Sequence, residues 1–368
     1  MEFTSFYLEQ LLRIKNGKDH KSLADGDYPV FGSGGLMRYA DRFLYDKASI
    51  LLPRKGTLDN IQYVTEPFWT VDTIYYTEVN EELVNPYYLY RYLRAMDLSG
   101  YDSGASIPSM TTKTYNRIKI KLPSKGTQNK IAGILSRYDE LIELNNKRIK
   151  LLEKAAEELY KEWFVRFRFP NYQEFEYKYA RPTGWVVNNK LNYEIPKSWE
   201  FDSLSNIALF RKGKNLTTSE AMEGGIPVVS AGKEPSCYHN VANVNGASIT
   251  ISGSGANAGY MSYHLSDIWA SDCSYYQNDN NIWYVYSALH FIQKVIDNMQ
   301  VGAAQPHVYP KNINALSVLI PDDETVKVFN NKAKVLFDEI AIINKKTDNL
   351  IKQRDLLLPR LMSGKLEV

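Results

Sequence analysis

Between Thr127 and Phe164 apolar residues return every seven positions in two interleaved series. Leu135, Ile142, Ile149, Ala156 and Trp163 form one; Ile131, Tyr138, Asn145, Leu152 and Leu159 form the other. They occupy the a and d positions of a heptad. The remaining positions are mostly Glu, Lys, Arg and Asn, and neither Gly nor Pro interrupts the run between Gly133 and Pro170. This pattern predicts one long helix with a narrow apolar seam, on the order of 55 Å long at about 1.5 Å per residue, a length suited to a spacer. Such a seam needs a partner. Asn145, alone among the seam positions in being an amide, is expected to cost stability while setting register.

The chain repeats the pattern. A shift of 198 positions carries the first series onto Ala333, Ile340, Thr347, Arg354 and Leu361, and the second onto Phe329, Leu336, Ile343, Leu350 and Leu357. The duplication extends backwards from both helices. Leu8–Lys18 resembles Leu204–Lys214, Tyr28-Pro29-Val30 resembles Ile226-Pro227-Val228, and Ala48-Ser49-Ile50 resembles Ala247-Ser248-Ile249. Trp69–Tyr76 stands against Trp269–Tyr276, Gly104–Pro108 against Gly302–Pro306, and each series closes on an apolar alternation and a proline, at Pro123 and Pro321. A repeat on this scale sets the architecture. The chain reads as a tandem of two globular units, each followed by a long helix.

Within the first unit, β-branched and aromatic runs predict strands at Ala48–Leu52, Ile61–Val64, Thr73–Tyr76 and Ile118–Leu122. Leu83–Met96, with Pro86 early, predicts a helix, and Trp283–Ile296 predicts its counterpart. This is an α+β reading. The predicted boundaries are a globular unit at residues 1–125, a first helix at 126–165, a connector at 166–194, a second globular unit at 195–322, and a second helix with a C-terminal tail at 323–368. The connector mixes aromatics, charges and prolines without a sustained period, and is expected to be irregular, with its aromatics packed on something. Trp163 and Phe164 close the first helix either as partner-binding residues or as a cap on the seam.

Composition narrows the class. With 368 residues, 44% hydrophobic and 23% charged, the chain can build two or three cores. No run approaches the roughly 18 apolar residues of a membrane span, and the N-terminus lacks a basic region followed by an apolar core. Two cysteines, Cys237 and Cys273, form neither a CxxC nor a disulfide framework, so a reducing cytoplasm is expected. Residues 1–125 are balanced, with 16 Lys+Arg and 15 Asp+Glu, whereas residues 191–322 carry 7 against 11. Binding of a phosphate backbone by the second unit therefore needs a local basic patch and polar loops.

The chemistry-bearing motifs are mostly absent. There is no GxxxxGK[ST], HExxH, CxxC or GxSxG. Asn85-Pro86-Tyr87-Tyr88 resembles the motif of amino-methylating enzymes but lacks the second proline and a preceding glycine-rich loop, so it reads as a helix start. Pro321-Asp322-Asp323 reads as a helix cap rather than a nuclease carboxylate cluster. The five histidines have no metal spacing. No catalytic residues and no metal site are expected.

What remains are loops suited to nucleic acid. Arg54-Lys55-Gly56-Thr57 follows a strand, and its cations and hydroxyl suit phosphate or a guanine edge. Its counterpart, Ser252–Asn257, offers Ser252, Ser254 and Asn257 and exposed backbone N–H groups instead. Further candidates are Arg13, Lys15 and Lys18, their counterparts Arg211, Lys212 and Lys214, and Lys113 and Lys311 after the Pro108 and Pro306 turns. Each loop alone is compatible with an ordinary solvated loop. The repetition of the whole arrangement is the stronger sign. The spacer and partner-interface candidates are Leu135, Ile142, Asn145, Ile149, Leu152, Leu159, Trp163, Phe164, Leu336, Ile340, Ile343, Leu350 and Leu357.

Four stretches carry a family resemblance: Leu159-Tyr-Lys-Glu-Trp-Phe-Val-Arg-Phe-Arg-Phe-Pro170 after the first helix, Ile195-Pro-Lys-Ser-Trp199, Ile251–Tyr260, and Gln353–Leu366 at the C-terminus. With two variable units each followed by a pairing helix, the chain resembles the specificity subunit of a Type I restriction-modification enzyme along its whole length. The resemblance implies two target recognition domains separated by an antiparallel coiled coil, with pseudo-twofold symmetry matched to a bipartite, asymmetric double-stranded DNA target whose half-sites lie about one helical turn apart. It also implies no cofactor on this chain. S-adenosylmethionine, ATP and Mg are expected on partners, two methylation subunits and the restriction/translocase subunits, which dock on the helical region and act on DNA. One departure is that the first domain lacks the Pro-x-x-Trp that opens the second. Competing readings are a protein-binding coiled-coil scaffold, an orphan specificity subunit, and a single-chain enzyme.

Overall fold

In the computed structural model, residues 2–56, 58–98, 109–180, 193–299 and 306–368 are described. The chain divides into two compact units, one formed by Met1–Leu144 with Thr347–Val368 and the other by Asn145–Lys346. Among the described residues, no helix is long and apolar enough to cross a membrane.

The first unit contains β1 (Thr4–Tyr7), α1 (Leu8–Leu11), β2 (Leu12–Asn16), β3 (Tyr28–Gly32), β4 (Gly35–Ala40), β5 (Ser49–Pro53), β6 (Gln62–Val64), β7 (Trp69–Thr70), β8 (Ile74–Val79), α2 (Pro86–Arg94), α3 (Thr112–Asn116), β9 (Lys119–Leu122) and the start of α4 (Lys125–Tyr160). Its sheets run β2-β8-β5-β6, β4-β3-β7 and β1-β9. β5 is buried at every position, as a continuous apolar run at the centre of a sheet requires. Asn85 caps α2 by accepting the Tyr88 N–H at 3.0 Å, and Pro86 fills the first helical turn, where a missing N–H costs nothing.

The second unit repeats the scheme. It contains β10 (Tyr177–Ala180), β11 (Tyr193–Pro196), β12 (Glu200–Ser203), β13 (Arg211–Lys212), β14 (Ile226–Val229), β15 (Cys237–His239), β16 (Ser248–Ser252), β17 (Met261–His264), β18 (Trp269–Ala270), β19 (Cys273–Tyr276), α5 (Ile282–Phe291), α6 (Gln293–Asp297), α7 (Pro310–Asn314), β20 (Ser317–Ile320) and the start of α8 (Asp323–Met362). Sheets β13-β19-β16-β17, β15-β14-β18 and β12-β20 reproduce the order of the first unit strand for strand. The predicted helix at Trp283–Ile296 is in fact two, α5 and α6, because the backbone leaves helical geometry at Ile292 (φ −102°, ψ 20°).

The connector is more ordered than its composition predicts. β10 and β11 pair antiparallel from Tyr177↔Pro196 to Ala180↔Tyr193, with residues 181–192 outside the described set. Each strand is only four residues long, so the alternation of Tyr177, Lys178 and Tyr179 is too short to stand out in the connector. Phe169 is buried against Trp199, the rings 4.8 Å apart.

In both units α4 and α8 pair through the heptad seam. In the first, Ile131 and Leu135 share a core with Leu361 and Leu357, and Asp139 meets Arg354 at 2.9 Å. In the second, Arg148 meets Glu339 at 2.7 Å, and Ile149, Leu152, Ala156 and Leu159 pack in one core with Phe329, Ala333, Leu336 and Ile340. Rising numbers on one helix meet falling numbers on the other, so the pairing is antiparallel. α4 ends in a π-helical turn, Lys161–Val165, within which Trp163 and Phe164 are both buried. Phe164 lies 5.0 Å from the Phe329 ring and 4.9 Å from Tyr284, so both residues belong to the intramolecular core.

Candidate nucleic-acid interface

In each four-stranded sheet, register places two candidate clusters at one end. Asn16 ends β2 opposite Tyr75 of β8, and Leu52 near the end of β5 faces the same Tyr75. The chain beyond β2, with Lys18, and the chain beyond β5, with Arg54 and Lys55, therefore emerge together. In the second unit Lys212 and Ile251 both face Ser274, which brings Lys214 and the Gly253–Asn257 loop to the corresponding end.

The loops after β5 and β16 are held by the same backbone bonds. The Arg54 N–H donates to the Thr73 carbonyl at 2.9 Å and its own carbonyl accepts from Met110 N–H at 3.1 Å. Gly253 does the same with Asp272 at 3.2 Å and Val308 at 3.0 Å. Lys55 bridges Ser109, as Ser254 bridges His307. The glycines that follow take positive φ, +89° at Gly56 and +73° at Gly255, where an L side chain is strained. The two loops thus share a scaffold on which the side chains differ.

On the first scaffold stand cations. Arg54 is half-buried, its guanidinium 5.9 Å from the Tyr75 ring and its Nη1 3.4 Å from the Asp72 carbonyl; Lys55 is exposed. Thr57 lies outside the described residues. Lys113 and Lys311 are exposed on α3 and α7, the helices that follow the bridging Ser109 and His307. Lys15 differs from its neighbours in being paired, 3.4 Å from Glu78, while Arg13 and Lys18 are exposed.

On the second scaffold stand neutral groups. Ser252 is 4% exposed and donates to the Ala231 carbonyl at 3.1 Å, which corrects its expected role: it fastens the loop and has no free hydroxyl to offer. The Ser254 hydroxyl donates to the Asp272 carboxylate, and Asn257 is half-buried. Arg211 and Lys212 are exposed, and Lys214 lies 5.9 Å from the Trp269 ring.

Sequence reading missed a set of residues that only strand pairing assembles. In the second unit a cavity of about 250 Å³ is lined by Lys233, Thr250, Ser262 and His264, among others. Lys233 lies 5.3 Å from the Tyr260 ring. Burial pushes the His264 imidazole down to about 4, so it is neutral near pH 7, with Nε2 2.8 Å from Thr250 Oγ1. In the first unit the Asn60 and Gln62 amides donate to the Ser33 and Gly32 carbonyls at 2.7 and 3.3 Å, tying the β3–β4 turn to the Arg54 loop. No spacing in the sequence marks these contacts. Among the described residues, no group of three His, Cys, Asp or Glu is placed to hold a metal ion.

Two α/β units of one topology, each presenting polar loops at a sheet end and each packed on a pair of long helices, define a tandem-repeat protein. The model of the Type I restriction modification DNA specificity domain matches residues 1–154 and again 196–353. The chain belongs to this family. It is 27% identical over 357 residues to the Type I restriction enzyme MjaIX specificity subunit of Methanocaldococcus jannaschii, covering 88% of this chain and 79% of that one. It is 22% identical over 367 residues to the HindI specificity subunit of Haemophilus influenzae, covering 78% and 79%. Its fold is similar to the crystal structure of a Type I restriction-modification S subunit from M. genitalium, with a TM-score of 0.62 at 19% identity, over 98% of this chain and 96% of that one.

Proposed function

We propose that the chain is the non-catalytic, DNA-reading subunit of a Type I restriction-modification complex, each unit reading one half of a bipartite, asymmetric target. The observation that carries this reading is the pair of loops after β5 and β16, fastened by equivalent backbone bonds yet bearing Arg54 and Lys55 in one and Gly253 and Ser254 in the other. A common scaffold with exchanged side chains is what two readers of different sequences require, since phosphate contacts position a protein and base-edge contacts specify. S-adenosylmethionine, ATP and Mg are then bound by the methylation and restriction subunits in the cytoplasm.

Docking of those subunits on the helices is supported by large apolar side chains left in solvent. Leu144 and Leu356 are 60% and 71% exposed in the first unit, and Leu151 and Val335 are 67% and 68% exposed in the second. They stand off the seam, so pairing of α4 with α8 does not cover them.

Modified-base sequencing of DNA from cells expressing this chain with a methylation subunit tests the reading, against cells lacking only this chain. A bipartite methylated motif that depends on the chain is expected. Exchanging residues 195–322 for those of another family member changes one half-site and leaves the other. If the complex assembles and no motif depends on the chain, it is a protein-binding scaffold.

A further inference from the structure

Strand β4 exposes two large apolar side chains directly after the polar β3–β4 turn. β3 and β4 pair from Tyr28↔Ala40 to Gly32↔Gly35, leaving Ser33-Gly34 as the turn. Immediately beyond it, Leu36 is 51% exposed and Met37 is 54% exposed. Among the described residues, β4 is an edge strand of its sheet. The Met37 Sδ folds back over Gly32, 2.7 Å from where a Cβ would stand.

The tip is tied to the cationic loop rather than held out alone. The Ser33 N–H donates to Thr73 Oγ1 at 3.3 Å, the Asn60 amide reaches the Ser33 carbonyl, and a Cβ on Gly56 would lie 3.6 Å from Ser33 Oγ. Thr73 also accepts the Arg54 N–H. The hairpin that carries Leu36 and Met37 is thereby fastened to the loop that carries Arg54 and Lys55. The second unit has the opposite character: β14 and β15 are joined by the longer polar stretch Ser230-Ala231-Gly232-Lys233-Glu234-Pro235-Ser236.

Apolar side chains on a hairpin fastened to a cationic loop fit one feature of duplex DNA. The thymine C5-methyl is the apolar group among the base edges of the major groove, and phosphates flank it on both strands. Resting on the DNA-reading function proposed above, we infer that Leu36 and Met37 read a thymine methyl group in the half-site of the first unit, with Arg54 and Lys55 holding the adjacent backbone or guanine. The second unit, polar at this position, makes no such contact.

The test removes the methyl group from the DNA and the side chains from the protein. The complex of this chain with its methylation subunit binds duplexes in which each thymine of the target is replaced in turn by deoxyuracil. For the wild-type chain, one replacement in the first half-site weakens binding about 3- to 5-fold, the effect of one buried methyl group, and none in the second half-site does so through this hairpin. In L36S/M37S, whose exposed side chains leave the core intact, thymine and deoxyuracil bind alike at that position. A first half-site without a T·A pair, or a deoxyuracil penalty unchanged in L36S/M37S, overturns the inference. A wild-type complex with no sequence preference at all overturns instead the function on which it rests.

Discussion

The two units hold their long helices by opposite means. In the first, Asp139 on α4 accepts from Tyr87 at 2.5 Å and from Arg91, both on α2, and from Arg354 on α8 at 2.9 Å. Arg91 is nearly buried, its guanidinium 5.4 and 5.2 Å from the Tyr87 and Tyr90 rings. In the second, the repeat puts Trp283 at the place of Tyr87, Ser287 at that of Arg91, Phe337 at that of Asp139 and Ala156 at that of Arg354. There the Trp283 and Phe337 rings stack 3.8 Å apart at 6°. One junction is a charged network, the other an aromatic stack. Geometry common to the repeat is therefore compatible with either chemistry, provided that no charge is left unpaired.

The largest effect is expected where packing carries the junction. Phe337→Ala should cost about 3 to 5 kcal/mol, because Phe337 is 1% exposed and its removal leaves a cavity beside Trp283. Urea unfolding followed by tryptophan fluorescence measures it, and a cost below about 1 kcal/mol would show that the stack is dispensable.

Asp139→Ala should cost about 3 kcal/mol by stranding Arg91, with a salt dependence that Phe337→Ala lacks. The comparison sharpens when the first junction is rebuilt as the second, with Tyr87→Trp, Arg91→Ser, Asp139→Phe and Arg354→Ala together. Recovery of most of the loss is expected, since a packed apolar cluster commonly matches a buried ion network.

A smaller difference lies at the helix starts. Ser124 caps α4, accepting the Thr127 N–H at 3.3 Å, whereas Asp322 caps α8, accepting Thr325 N–H and Trp199 Nε1, both at 2.8 Å. Burial opposes ionisation of Asp322, but these hydrogen bonds outweigh it and hold its pKa below the usual 3.8. A depressed carboxylate contributes stability that is full above the unfolded value and is lost as pH falls through the folded one. Acid should therefore loosen the start of α8 below about pH 4, and Asp322→Asn should flatten that dependence, an effect under about 1 kcal/mol read by unfolding at pH 7 and pH 3. Smallest of all, Asn145→Leu places on α4 the kind of residue that Ile343 supplies at the equivalent seam position of α8. It should raise the melting temperature by about 1 °C; no rise would mean that the amide is not a cost.

Much of this organisation was legible in the chain. Heptad spacing marked both helices, because a seam imposes its period on sequence, and none of the twenty seam positions read there is fully exposed. The tandem repeat and the resemblance of its four stretches point to the family by themselves. Strand centres were legible at Ser49–Pro53, which is buried at every position, and at Ile74–Val79, where β-branched and aromatic residues cluster. The β10–β11 pair was not, since its alternation of aromatic and charged residues spans only a few positions inside an otherwise irregular segment.

Candidate loops could be named from composition, but not sorted. Ser252, Ser254 and Lys15 read as free polar groups, and the fold commits each of them to an internal partner. The apolar pair Leu36 and Met37 gave no sign of exposure, because an apolar residue in a strand is ordinarily core. Sequence alone determined the two repeats, their paired helices and the family, since these rest on periodicity and local pattern. Only tertiary structure decided which polar and apolar side chains face solvent at the sheet ends, because that depends on residues far apart in the chain being brought side by side.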